Sequence, residues 1–189
     1  MRNLYLGLLH YPVYNKNKVV ITSAVTNFDI HDISRACKTF GVENYFIITP
    51  NKGQQKVVGQ IINHWQEGFG ATYNSDRKDA LNITFLIDDL DDALKFIKEK
   101  EGKSPLVIAT SANKTEKYSN YSISEFREFL KGEGEPVLLL FGTGYGMVLE
   151  DLPQITAMLS PIYGPTEYNH LSVRSAVSIY LYALKGILD

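Results

Sequence analysis

Two apolar runs, Val137–Phe141 and Met158–Ile162, each pass directly into a loop that carries glycine. The first loop is Gly142-Thr143-Gly144-Tyr145-Gly146; the second begins Tyr163-Gly164-Pro165. Apolar runs of ~4–8 residues bounded by turn residues read as strands buried on both faces. Glycine straight after such a strand lets main chain, rather than side chain, meet what lies beyond. Ligands of open α/β sheets lie outside the carboxyl ends of the strands, so the two loops predict a single pocket.

The rest of the chain repeats the same alternation. Strands are expected at Leu4–Leu9, Val19–Thr22, Asn44–Thr49, Ile83–Ile87 and Leu106–Thr110, each short and closed by polar or turn residues. Helical spacing joins Ile30, Ile33, Ala36, Cys37 and Phe40, with Gly41 as the stop, and later Val57, Val58, Ile61, Ile62 and Trp65. Asp88 or Asp89 is placed to cap a helix over Asp91–Lys100, and Ser122 or Ser124 to cap one carrying Phe126, Phe129 and Leu130. A final helix is expected over Leu171–Leu188. Strands alternating with helices predict an α/β fold, a parallel sheet with helices on both faces.

Composition narrows the chemistry. With 189 residues, 44% apolar and 21% charged, the chain reads as one domain over residues 1–189. A net charge of −2 argues against binding nucleic acid through bulk electrostatics and leaves room for RNA held by a local patch or by a partner. Arg77, Lys78, Lys114, Lys117, Tyr118 and Tyr121 are residues of that kind, or else solvated loops. The single cysteine, Cys37, forms no internal disulfide, fits a reducing compartment and reads as a core residue. Four scattered histidines and one cysteine make no metal-site pattern, so no metal is expected. No run has the length of a membrane span, and the apolar start is too short for a signal peptide, so a cytoplasmic location is expected. Asp88, Asp89, Asp91 and Asp92 read as a capped helix start. GTGYG lacks the lysine of a phosphate-binding P-loop and the spacing of a dinucleotide fingerprint. Ser111 and Ser172 lack a nucleophile-elbow context.

Three motifs in order give a more specific reading. The segment Leu138–Gly146 matches an apolar run followed by F-G-x-x-x-G. Leu159-Ser160-Pro161-Ile162-Tyr163-Gly164 is similar to an apolar strand ending in I-P-M-x-G. His170-Leu171-Ser172-Val173-Arg174-Ser175-Ala176 is similar to S-L-N-V-S-x-A. Together they resemble the SPOUT class of RNA methyltransferases. In its ribose-methylating branch a segment I-x-R-T-A-x-x-F-G-V is similar to Ile33–Val42 here. That branch has Asn where Asp29 stands, and N-E-G where Thr143-Gly144-Tyr145 stands.

The resemblance implies a C-terminal deep trefoil knot, a homodimer formed through the last helix, a tRNA or rRNA substrate, and S-adenosyl-L-methionine as cofactor. It implies main-chain recognition of adenine around Thr110, Gly142, Ile162, Leu171 and Val173. Ser111, Phe141, Thr143, Gly144, Gly146, Gly164 and His170 complete the implied pocket. For catalysis it points to Arg35, with Asp29 as a possible base and Arg174 holding phosphate or substrate. Base and ribose methylation both remain open. So do a non-catalytic cofactor- or nucleotide-binding regulatory module on the same scaffold and a plain nucleotide-using Rossmann-like enzyme.

Overall fold

The structure is a computed structural model that describes residues 1–187. The chain runs through β1 (Leu4–Leu9), β2 (Val13–Tyr14), β3 (Val20–Ile21), α1 (Asn27–Thr39), β4 (Tyr45–Ile48) and α2 (Lys52–Gln66). It continues through α3 (Phe69–Tyr73), α4 (Ser75–Leu81), β5 (Thr84–Ile87), α5 (Leu90–Glu101) and β6 (Leu106–Thr110). The last part holds β7 (Asn120–Tyr121), α6 (Ile123–Lys131), β8 (Val137–Gly142), β9 (Ile155–Leu159) and α7 (Val173–Lys185).

Seven strands form one sheet in the order β5-β4-β1-β8-β6-β9-β7, with every neighbouring pair parallel. All carboxyl ends therefore lie along one edge. Side chains alternate between two cores, as a pleated strand requires. Leu4, Leu6 and Leu8 of β1 join the residues of α1, α2, α6 and α7 on one face. Tyr5 and Leu9 join Leu90, Ala93 and Ile97 of α5 on the other. Both faces are covered, which explains why these strands show apolar runs rather than apolar–polar alternation.

Local signals fix most helix ends. Thr26 and Asp29 form a capping box that starts α1 three residues before the expected Ile30. Asp89, not Asp88, caps α5, and Ser122, not Ser124, caps α6. Gly41 takes φ +65° just past α1 and allows the chain to turn. Cys37 is fully buried in the core, where burial pushes its thiol pKa up.

Three expectations differ from the structure, and one stretch without an expected element proves helical. Val19–Thr22 does not enter the main sheet; its centre pairs antiparallel with β2 as a separate hairpin. The strand expected at Met158–Ile162 lies earlier, at Ile155–Leu159, because polar Thr156 masks its start and Pro161 has no N–H to continue the ladder. The last helix begins at Val173, where Ser172 accepts from the Ser175 N–H as the cap; Leu188 lies outside the described residues. Residues 67–82, which carry no clear period, fold as α3 and α4.

Candidate active site

Strands β8, β6 and β9 are adjacent, so the loops at their carboxyl ends share one crevice. Ser111–Asn113 leaves β6, Gly142–Gly146 leaves β8, and Ser160–Ser172 leaves β9 toward α7. Asn169 donates to the Ala112 carbonyl (2.7 Å), which ties the third loop to the first. The Tyr180 hydroxyl donates to the Ser160 carbonyl (2.8 Å) and anchors that loop to α7.

The loops after β8 and β9 are held in different ways. Tyr145 N donates to the Tyr14 carbonyl (2.8 Å), Tyr14 N donates to the Gly146 carbonyl (2.9 Å), and Val148 N donates to the Pro12 carbonyl (3.2 Å). Gly144 has φ +60°, and a Cβ there would lie 2.7 Å from the Tyr14 carbonyl oxygen. The β2–β3 hairpin thus occupies this side of the glycine loop. At its start, Gly142 leaves room for Met147, whose Cγ would sit 2.4 Å from an added Cβ. Thr143 donates to the Leu9 carbonyl (3.0 Å) and bonds Ser23. Between Pro161 and Leu171, by contrast, no main-chain group bonds another main-chain group among the described residues. Gly164 is exposed and has open space around it.

The remaining expected pocket residues divide in the same manner. Thr110 is buried and donates to the Leu140 carbonyl (3.1 Å); Phe141 is buried, with its ring centroid 5.8 Å from that of Tyr180. Ser111 is half-buried at the rim. Ile162 and Val173 are half-buried, and His170 and Leu171 are exposed at the approach to the α7 N-terminus.

Of the three expected catalytic residues, the structure brings two together. Arg174, in the first turn of α7, reaches Asp29 of α1 at 3.3 Å and Asp32 at 3.5 Å. Its guanidinium also lies 5.3 Å from the ring centroid of Phe28, which is 65% exposed. Asp29 is buried, and its other carboxylate oxygen accepts from the Thr26 hydroxyl (2.6 Å) and N–H (3.3 Å). Both oxygens are therefore engaged. Arg35 is exposed nearly two turns further along α1 and makes no ion pair among the described residues. Sequence reasoning missed Asp32 and Phe28. The i,i+3 spacing of Asp29 and Asp32 was the available signal, because it puts both carboxylates on neighbouring helix positions.

His10, at the carboxyl end of β1, is fully buried. Its Nδ1 bonds the Ser23 hydroxyl (2.9 Å), which in turn bonds Thr143. Burial pushes its pKa down to about 4, so it is neutral at pH 7. With Thr143 donating to Leu9, a consistent proton order has Ser23 donating to Thr143 and His10 Nδ1 donating to Ser23. This relay fastens β1, the 22–26 segment and β8 at the edge of the crevice.

Residues 3–186 match the model of a family described as SAM-dependent RNA methyltransferases. The chain belongs to that family. Over 185 residues it is 38% identical to a tRNA (guanine-N(1)-)-methyltransferase of Oleidesulfovibrio alaskensis, covering 98% of this chain but 42% of that relative. The chain thus spans less than half the length of that relative. Among solved structures, TrmJ from Z. mobilis matches with a TM-score of 0.62 at 16% identity, covering 100% of this chain and 70% of TrmJ. The TrmH/SpoU tRNA modifying enzyme of A. aeolicus matches with a TM-score of 0.52 at 18% identity, covering 98% and 75%. At such identities the likeness shows the fold, an α/β architecture shared with TrmH/SpoU proteins.

The family's cofactor is S-adenosylmethionine, and the crevice fits a nucleoside of that kind. Adenine needs main-chain donors and acceptors beside apolar walls, and the Pro161–Leu171 segment, where the Tyr180 hydroxyl meets the Ile162 main chain, is otherwise without backbone partners among the described residues. Among the described residues no helix is long and apolar enough to cross a membrane.

Proposed function

We propose that this chain transfers the methyl group of S-adenosylmethionine to an RNA, a tRNA in the first instance, and works as a homodimer in the cytoplasm. The observation that carries this reading is the loop after β9, whose main chain makes no backbone–backbone bond from Pro161 to Leu171 among the described residues, together with the Arg174–Asp29–Asp32 cluster at the start of α7 and α1. In this reading Ile162, Gly164, Leu171 and Val173 hold the adenosine, with Thr110, Ser111 and Gly142 beside them. Phe141, Thr143, Gly144 and Gly146 shape the pocket from behind, and His170 lies at its mouth.

The cofactor supplies an electrophilic methyl group on a sulfonium, and the acceptor atom on RNA must lose a proton as the new bond forms. Arg174, its side chain about one-third exposed, contacts the acceptor nucleotide and stabilises negative charge that develops there. Asp29, with both oxygens occupied, is a positioning residue that aims Arg174. Asp32 is half exposed beside the guanidinium and takes the proton. Arg35 tracks the RNA backbone further along α1.

The dimer is supported by the outer face of α7, where Ile179 and Tyr182 are 40% and 53% exposed, with Leu171, just before the helix, 47% exposed. The deep knot is supported by the path of the chain from β9, on the far side of β6, back to α7, which packs on α1 and α6. The reading is tested by supplying the protein with methyl-labelled cofactor and bulk tRNA, then digesting the product to nucleosides. Label in one nucleoside is expected, and its identity distinguishes a guanine N1 acceptor from a ribose oxygen. Cofactor binding by calorimetry without any label transfer would leave the non-catalytic module standing instead. Sedimentation checks the dimer: Ile179→Glu is expected to shift it to monomer.

A further inference from the structure

A cavity between helices lies away from the crevice. Its volume is about 370 Å³, within the range of small-ligand sites, and it opens between α1, α2 and α4. Its floor is Trp65, the chain's single tryptophan. His31 of α1 and His64 of α2 meet the indole edge-on, with ring centroids 5.5 Å and 5.2 Å away and interplanar angles of 87°. Arg77 of α4 lays its guanidinium 4.5 Å from the indole centroid. Nδ1 of His31 is buried without a partner. Burial first, then the nearby charges of Arg77 and Arg35, hold the pKa of His31 down against the opposing pull of Asp32.

Beside the cavity α3 presents a second aromatic pair. Phe69 and Tyr73 are stacked, with ring centroids 6.1 Å apart at 24°, and are 74% and 77% exposed. Gly70 allows α3 to close on the indole, since a Cβ there would come within 2.6 Å of the Trp65 ring. Nothing in the folding of the sheet requires two exposed rings on a five-residue helix.

We propose that this cleft binds an unpaired nucleotide of the RNA substrate flanking the modified one, with the base stacked on the Arg77 guanidinium and its phosphate facing Arg35. The proposal rests on the RNA reading given above and adds where the strand runs. A guanidinium over an aromatic ring can present its other side and its donors outward, which suits a planar base and a phosphate together. Exposed Phe69 and Tyr73 extend the stacking surface, which single-stranded nucleic acid uses regardless of sequence. Asp32, the neighbour of His31 on α1, acts on the His31 charge and also pairs with Arg174, so the cleft adjoins the Arg174 cluster through Asp32. Helix α1 packs on α4 and on α7, so the cleft is also distinct from the face of α7 assigned to the dimer. The walls set histidine edges and the Arg77 cation among the apolar Val57, Ile61 and Trp65, a mixture that suits a stacked base with its phosphate.

The fluorescence of Trp65 reports on this cleft alone. The full chain, with cofactor present, is titrated with tRNA, with a short single-stranded RNA and with free AMP and GMP. Filter binding and cofactor calorimetry run in parallel. Both RNAs are expected to quench Trp65. Arg77→Met, which keeps an unbranched stem over the indole, and Tyr73→Ala, a fully surface change, are each expected to weaken RNA binding about tenfold with cofactor affinity unchanged. RNA binding without quenching, or with both variants at wild-type affinity, overturns the cleft and leaves the methyltransferase reading intact. Quenching by mononucleotides but not by RNA overturns it in favour of a free-nucleotide site. A concentration-dependent change in Trp65 emission without RNA overturns it in favour of a second copy of the chain. Loss of RNA binding by every measure removes both this proposal and the RNA reading beneath it.

Discussion

The loop after β8 and the loop after β9 look alike in sequence, each a glycine-bearing exit from a buried strand, and the structure uses them in opposite ways. The first is fastened on three sides: by the β2–β3 hairpin at Tyr14, by Met147 against Gly142, and by Thr143 to Leu9 and Ser23. The second leaves its main chain from Pro161 to Leu171 unpaired within the backbone and Gly164 with empty space around it. Glycine marks a place where something approaches the backbone closely. It does not say whether that is the chain itself or a ligand.

The comparison is tested most severely on the open side. Arg174→Ala is expected to lower methyl transfer about a hundredfold, the scale of removing one charge-stabilising donor. Far-UV circular dichroism should stay unchanged, and an unaltered rate would remove Arg174 from the chemistry.

On the fastened side the largest expected effect comes from pH. His10 titrates at about 4 in the folded protein, below its ordinary 6.5, so the unfolded chain binds the extra proton first. Stability contributed this way is complete above pH ~6.5 and falls as pH drops toward ~4, by an amount on the order of 3 kcal/mol. Denaturant midpoints across that window should show the slope, and His10→Gln should flatten it.

Glycine substitutions set the two loops directly against each other. Gly144→Ala forces a left-handed φ and a clash with Tyr14, and should cost about 2 kcal/mol, read as a fall in Tm. Gly164→Ala meets nothing and should change stability by less than ~0.5 kcal/mol. If Gly164→Ala destabilised the protein as much as Gly144→Ala, the distinction between the loops would collapse. A smaller effect is expected from Thr143→Val, which removes the hydroxyl joining Leu9 to Ser23 at a cost of about 1 kcal/mol.

Much of the fold was legible because the strands are short apolar runs and the helix starts carry their own caps. Leu4–Leu9 and Leu106–Thr110 appear as read, and Gly41 stops α1 as expected. What failed lay where local signal is weak. Thr156 hid the start of β9, and residues 67–82, with no steady period, concealed α3 and α4. In the site, Arg174 and Asp29 could each be picked out singly. Their pairing, 145 residues apart in the chain, could not, nor could the participation of Asp32 and Phe28.

The sequence by itself therefore determined the class of fold, most of its strands and helices and the family, since each is written in local periodicity, caps and short motifs. Only the tertiary structure decided which glycine loop is occupied by the chain and which stands open, and which arginine meets a carboxylate. Those outcomes depend on strand order, because β8 enters between β1 and β6 and sets its loop against the hairpin that follows β1. No pattern along the chain records which strands become neighbours.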